Sequence, residues 1–156
     1  MEIEILKKLR DNPSYEGFDN EPLSLEEIAT LELDYNEGNS FPRALRELLY
    51  LAGRYCLVYD YGVYDTMQEI QEAGREWLDE RGLEILRPFF ILDVYNGGDQ
   101  FLFVYLDEHT NDPLLYEAYL DTDMHDENPF LSSLERTLAE FTDARLDRLL
   151  IGENPF

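Results

Sequence analysis

The stretch PFFILDVYNGGDQFLFVYL, residues 88–106, joins two runs of aromatic and aliphatic residues through a short polar turn. Aromatic and β-branched residues favour strands, and Asn96-Gly97-Gly98-Asp99 supplies residues that tolerate positive φ. The stretch therefore predicts a β-hairpin of residues 89–95 and 100–106. Large apolar side chains fall on both faces of each strand, so we expect a sheet that is covered on both sides.

The sequence around this hairpin predicts two more strands. Residues 55–59 and 114–120 are again rich in aromatic and apolar residues, and the turn Thr110-Asn111-Asp112-Pro113 leads into the second of these runs. A third strand following this turn extends the hairpin into a mainly antiparallel sheet.

Helix starts are marked by pairs with the spacing of a capping box, in which a Ser or Thr accepts from a backbone amide and a Glu three residues later reaches back. The pairs are Ser24/Glu27, Thr66/Glu69 and Ser132/Glu135. They predict helices over residues 25–36, 66–81 and 133–150, and a fourth helix opens at Ser40-Phe41-Pro42 and ends at Gly53. We expect Trp77 on the inward side of the helix 66–81. Strands and helices together predict one α+β domain spanning residues 1–156, with helices packed on the sheet.

The charge of the chain has one dominant sign. Thirty-five Asp and Glu against twelve Lys and Arg give a formal charge of -23, yet 44% of the residues are hydrophobic and 11 Tyr and 9 Phe are available for a core. This apolar content predicts a folded protein rather than a disordered one.

The electric field of such an acidic protein attracts cationic partners and repels nucleic acid and anionic membranes. We therefore expect a basic protein partner, no direct nucleic-acid binding and no membrane binding. The alternative is that the acidity only keeps the domain dispersed.

The compartment is expected to be cytoplasmic. The one cysteine, Cys56, cannot form a disulfide within the chain, and the N-terminal residues lack the apolar run of a signal peptide. No segment reaches the roughly 20 apolar residues that a membrane-spanning helix needs.

Candidate catalytic and metal-binding residues are few, and we expect neither an enzyme nor a cofactor. Cys56 lies in a strand-like run and is interpreted as a small buried core residue, while His109 and His125 lie in polar stretches typical of loops. The acidic loops at residues 107–112 and 121–127 invite a calcium hypothesis, but neither has the glycine or the glutamate of an EF-hand at the required position. No metal site is predicted.

Two loops are the candidates for the partner-binding surface. The first, at residues 60–65, mixes tyrosines with acids, and we expect its aromatic side chains to be exposed; the second is the acidic loop at 121–127. The predicted contact residues are Asp60, Tyr61, Tyr64, Asp65, Asp121, Asp123, Asp126 and Glu127.

Three motifs, in this order along the chain, make it resemble the SUKH superfamily over about residues 24–150. The first is Phe41-Pro42-Arg43-Ala44-Leu45-Arg46-Glu47-Leu48-Leu49, ending at Gly53 and followed by a Trp-bearing helix. The others are Asn96-Gly97-Gly98-Asp99-Gln100-Phe101-Leu102-Phe103 and the strand Asp112-Pro113-Leu114-Leu115-Tyr116.

This resemblance implies an immunity protein of a bacterial polymorphic-toxin or contact-dependent inhibition system. Such a protein binds a cognate toxin domain, which is often a nuclease, and blocks it. The superfamily also includes a fungal cell-wall synthesis regulator and has no shared catalytic residues. It therefore leaves open a second function, an intracellular regulatory scaffold that binds an endogenous protein.

Overall fold

The computed structural model describes residues 1–121, 123 and 127–156. Over these residues the chain forms five α-helices and two antiparallel sheets, which confirms the α+β fold class. The helices are α1 Lys7–Asp11, α2 Leu25–Asn36, α3 Arg43–Ala52, α4 Met67–Glu80 and α5 Leu138–Leu150. The strands are β1 Ser14–Tyr15, β2 Phe18–Asp19, β3 Phe89–Tyr95, β4 Gln100–Tyr105, β5 Leu114–Tyr119 and β6 Leu131–Thr137.

The main sheet has four strands in the order β3-β4-β5-β6, each antiparallel to the next. Tyr95 pairs with Gln100 across the β3–β4 turn, so the predicted hairpin is confirmed, and β5 confirms the strand predicted at 114–120. β1 and β2 form a separate small hairpin that the sequence analysis did not predict.

Both faces of the hairpin are covered, as the apolar pattern predicts. Phe90 packs against Phe41 at a ring-centroid distance of 5.0 Å, while its neighbour Phe89 points the other way and packs against Phe103 at 5.8 Å. Buried apolar side chains from Ile3 to Leu146 form one connected core. The core therefore joins the N-terminal segment, the sheet and α5.

Side chains of α4 close the outer edge of β3. The Gln71 amide donates to Ile91 O at 2.8 Å and its oxygen accepts from Ile91 N at 2.8 Å, as a neighbouring strand would. Arg75 Nη2 donates to Phe89 O at 3.0 Å. A covered edge cannot pair with the strand of another chain, which is a common protection against aggregation.

The predicted helix at 133–150 is wrong in its first part. Ser132 pairs with Glu117 and Ser133 with Tyr116, so residues 131–137 are strand β6, and the helix begins only at Leu138. The capping box that forms is Thr137 with Glu140. Two Ser/Thr-x-x-Glu pairs follow each other in this segment, and pairing with β5 decides which of them caps the helix.

The other helix predictions agree with the structure more closely. Ser24 and Glu27 form the predicted capping box, and α2 has the predicted bounds. Thr66 caps α4, but the Glu69 carboxylate accepts from Asp65 N instead of from the capping residue. Residues 55–59 are not a strand, because only Tyr55 makes a β-bridge, to Glu21.

The N-terminal segment is held by a buried carboxylate of α3. Glu47 accepts from Glu4 N at 2.8 Å, Ile5 N at 2.9 Å and Leu6 N at 2.8 Å, and it pairs with Arg43 at 2.9 Å. These amides precede α1 and have no partner within that helix. Glu47 therefore fixes the start of α1, a role that its place in an apolar helix does not reveal.

None of the helices described is long and apolar enough to cross a membrane.

Candidate partner-binding site

A cleft of about 490 Å³ lies between the loop at residues 60–64 and the β3–β4 turn. We call it the aromatic cleft because Tyr64, Trp77 and Tyr95 line it. The remaining lining residues are Asp60, Gly62, Val63, Val94, Gly97 and Gly98.

Two of the three rings that line the aromatic cleft lie close to each other. Tyr64 and Trp77 have ring centroids 6.3 Å apart and planes inclined at 55°. The backbone of Gly98 lies against the indole, so that an added Cβ would stand 3.0 Å from Cε2 of Trp77. Gly98 also has a φ of +93°, which glycine adopts without strain. Glycine is thus required here both for the turn and for its contact with Trp77.

An ion pair holds the β3–β4 turn against α4. Arg81 Nη2 lies 2.8 Å from Asp99 Oδ1, while Arg81 Nη1 donates to Trp77 O at 3.4 Å. One side chain thus contacts both the helix that carries Trp77 and the turn that carries Gly98. This contact fixes one wall of the aromatic cleft.

The loop at 60–65 forms the opposite wall, but only part of it faces the aromatic cleft. Asp60 is exposed; its carboxylate accepts from Gly62 N at 2.7 Å and its carbonyl accepts from Val94 N at 3.0 Å. Tyr64 is half-buried, and Val63 is 91% exposed at the tip. Asp65 is exposed and lines a neighbouring depression instead.

The expectation that Tyr61 is an exposed aromatic is wrong. Its side chain is buried and its hydroxyl donates to Ala52 O at 2.8 Å. Tyr61 points inward, where its hydroxyl satisfies a carbonyl at the end of α3. Tyr61 therefore cannot contribute its ring to a docking surface.

The second predicted loop starts at the same end of the sheet. Leu120 N donates to Asp99 O at 2.8 Å, which places Asp121 beside the β3–β4 turn. Asp121 is half-buried, Asp123 and Glu127 are exposed, and Asp126 lies outside the described residues. The structure therefore places Asp60 and Asp121, the first residues of the two predicted loops, close to the β3–β4 turn, which the sequence alone could not establish.

Trp77, Gly97 and Gly98 were not among the predicted site residues. Trp77 packs against the core, as its predicted inward side implies, but it is only half-buried and also lines the aromatic cleft. The available signal was the pair of glycines, since a Gly-Gly turn permits close approach to a large ring. Only the tertiary structure shows which ring that is.

The exposed charge around this end of the molecule is negative. α4 carries exposed acids at a spacing of one helical face, namely Glu69, Glu72, Glu76, Asp79 and Glu80. Most Lys and Arg side chains are taken up in ion pairs with described acids: Lys8, Arg10, Arg43, Arg46, Arg54, Arg81, Arg87 and Arg145. The excess carboxylates are therefore left to face solvent.

A buried ion pair lies behind the aromatic cleft. Asp93, on β3, pairs with Arg145 of α5, which also donates to Val58 O at 2.9 Å. Burial raises the pKa of Asp93 to about 6, and the nearby Arg145 only partly opposes this. Nearby, the Tyr95 hydroxyl donates to Glu117 Oε1 at 2.6 Å, and burial, with Glu117, raises the pKa of Tyr95.

The described residues offer little for catalysis. Cys56 is buried, as predicted, and burial raises the pKa of its thiol to about 11, so it is protonated at neutral pH. His109 is exposed in a loop, also as predicted, and His125 lies outside the described residues. Within the described part of the chain, no three His, Cys, Asp or Glu side chains are grouped so as to hold a metal ion.

Comparison with known proteins gives no relative: no protein-family model, curated protein or solved structure matches the chain.

Proposed function

We propose that this protein is an immunity protein, which binds a basic toxin domain in the producing cell and neutralises it by covering its functional surface. The observation that carries the proposal is the acidic end of the sheet, where Asp60 lines the aromatic cleft and Asp121 lies beside the adjoining β3–β4 turn. Interfaces commonly combine buried aromatic anchors with a charged rim, and the charge of -23 favours a cationic partner. The resemblance to the SUKH superfamily supports the same proposal.

The charge also suits the speed that neutralisation requires. Complementary fields raise association rates by about 10- to 1,000-fold, and this gain shrinks as salt shortens the screening length to about 8 Å near physiological ionic strength. A nuclease toxin exposes Lys and Arg that bind phosphate. An acidic protein can occupy those side chains without performing any chemistry.

The first test is co-expression with the toxin domain encoded by the neighbouring gene. Growth should be restored when both proteins are produced, and the two should co-purify as a complex. If no neighbouring gene product is bound or neutralised, the proposal is wrong. Capture of a chromosomally encoded basic protein in cells lacking any toxin gene would favour the regulatory-scaffold alternative.

The second test asks whether the two loops form the contact surface. The double substitution Asp60→Lys/Asp123→Lys should slow association by about tenfold at low salt, because it reverses one charge in each of the two loops proposed to contact the partner. The control Glu16→Lys/Glu135→Lys changes the net charge equally, at an exposed turn and on β6. Stopped-flow measurement of the association rate over a range of NaCl concentrations distinguishes the two double variants. Equal rates for both double variants would place the contact surface elsewhere.

A further inference from the structure

We propose that the aromatic cleft binds one arginine side chain of the partner, with the guanidinium against Tyr64 and Trp77 and beside the Asp60 carboxylate. The inference rests on the proposed function only in taking the partner to be a basic protein. It adds the chemistry of the anchor that the partner inserts.

The chain itself shows how its own arginines are bound. The Arg87 guanidinium lies 3.7 Å from the centroid of Tyr105 and pairs with Asp107 at 2.7 Å. Arg145 lies 4.5 Å from the centroid of Phe141 and pairs with Asp93. In both places the guanidinium lies over an aromatic ring and a carboxylate accepts from its N–H groups.

The aromatic cleft has the same two components. Tyr64 and Trp77 supply the rings, and Asp60 supplies an exposed carboxylate on the same lining. None of the arginines in the described ranges lies over either ring. Arg75, on α4, lies over Tyr35 and Phe89, and Arg81, just past the end of α4, pairs with Asp99 and donates to the Trp77 carbonyl. A cation from outside the protein can therefore complete the arrangement.

The geometry favours arginine over lysine. A guanidinium is planar, stacks on aromatic rings and forks its N–H donors toward a carboxylate, while an ammonium is compact and strongly hydrated. Tyr64 and Trp77 are inclined at 55°, so they present two surfaces to an inserted group. Exposed Val63 at the rim adds an apolar contact for the methylene stem of the arginine.

Trp77 makes this site directly observable, because it is the one tryptophan in the chain. The probe is the peptide acetyl-Gly-Ser-Arg-Ser-Gly-amide, titrated at low ionic strength while Trp77 fluorescence is recorded. Two further peptides replace the arginine by lysine, which keeps the charge, or by citrulline, which keeps the shape. We expect a saturable change with the arginine peptide, an affinity lower by about tenfold with citrulline, and an intermediate one with lysine.

Substitutions then locate the binding. Asp60→Asn and Tyr64→Leu should each weaken the arginine peptide by about tenfold, since each removes one component of the site. Glu135→Gln makes the same charge change as Asp60→Asn on β6, at the other edge of the sheet, and should leave affinity unchanged. If Tyr64→Leu does not fold, Asp60→Asn and an NMR titration of the wild-type Trp77 indole N–H give the same information.

The results separate this inference from the proposed function. Equal binding of the arginine and citrulline peptides, or full affinity in Asp60→Asn, would overturn the arginine site whatever the toxin does. Arginine-specific binding with no toxin neutralised would support the site and refute the immunity function. Toxin neutralisation that is insensitive to Asp60→Asn and Tyr64→Leu, with no peptide binding, would support the immunity function and refute the arginine site.

Discussion

At the scale of single residues, two buried carboxylates show opposite pKa shifts for a clear reason. Burial alone would raise the pKa of Glu47, but three backbone N–H donors and Arg43 outweigh it and hold the pKa below its usual value. Asp93 has fewer donors, so burial prevails and its pKa rises to about 6. Hydrogen bonds to the ionised form oppose the effect of burial, and at Glu47 they outweigh it.

Asp93 depends on Arg145, and replacing this arginine tests the dependence. In the folded protein the pKa of Asp93, about 6, exceeds its ordinary value of 3.8, so its contribution to stability is most favourable below pH 3.8 and declines as the pH rises to about 6. Arg145→Met removes the cation and raises that pKa further. At pH 8 the variant should lose about 3–5 kcal/mol, as expected for a buried charge left without its partner.

At pH 5 the loss should be clearly smaller, because protonated Asp93 needs no cation. Urea unfolding at both pH values measures the difference. Arg148→Met, an exposed arginine on the same helix, is the matched control and should have little effect. An Arg145→Met loss that is the same at pH 5 and pH 8 would argue against the coupling.

At the scale of elements, the close contact of α4 with β3 depends on a glycine. Gly74 lies in the middle of α4, and a Cβ built there would stand 2.1 Å from Cδ1 of Ile91. In an exposed helix, alanine would be more favourable than glycine by about 1 kcal/mol. Here the packing against the sheet opposes this preference.

Gly74→Ala should therefore destabilise the protein by about 1–3 kcal/mol, the usual cost of overpacking a core. Ile91→Val, which removes Cδ1, should cost about 0.5–1.5 kcal/mol alone. The methyl group added at residue 74 takes the space of the methyl group removed from residue 91. The double variant should therefore lose less stability than the sum of the two single losses, by about 1 kcal/mol or more. A double-mutant cycle in urea measures this term, and strictly additive losses would contradict the contact.

In the segment 131–150, a strand forms where the local signals also allow a helix. Ser132/Glu135 and Thr137/Glu140 have the same capping spacing, and the stretch includes good helix formers, so local signals allow the longer helix. Residues 131–137 pair with β5 instead, so Ser132 and Glu135 lie in strand β6 and do not cap a helix. Glu135 has a φ of +56° where this pairing is interrupted. A bulge of this kind twists an edge strand and discourages pairing with another chain.

At the scale of the whole molecule, the charge of -23 works against folding while it favours a cationic partner. Individual surface ion pairs are each worth about 0–1 kcal/mol, whereas repulsion among the excess carboxylates acts across the whole surface. Salt weakens both effects. Because acids outnumber bases by 35 to 12, we expect salt to weaken the repulsion among carboxylates more than the attraction within ion pairs.

Raising NaCl from low to physiological concentration and beyond should therefore increase the Tm by about 4 °C, or roughly 1–2 kcal/mol at this chain length. Calorimetry at several salt concentrations measures the trend. The variant Glu69→Gln/Glu72→Gln/Glu76→Gln lowers the charge of the exposed α4 face and should show a smaller salt dependence. A Tm that falls with salt would mean that the ion pairs outweigh the repulsion.

The sequence by itself determined the features that neighbouring residues control. The β3–β4 hairpin, α2 with its capping box, the starts of α3 and α4 and the excess of acids all follow from contacts within a few residues or from composition. The tertiary structure decided β6, the attachment of the N-terminal segment to Glu47, the inward position of Tyr61 and the assembly of the aromatic cleft. Each of these depends on groups far apart in the chain, whose burial and pairing have no local pattern. Cleft residues such as Tyr64, Trp77 and Gly98 meet only because the whole core brings α4 and the sheet together.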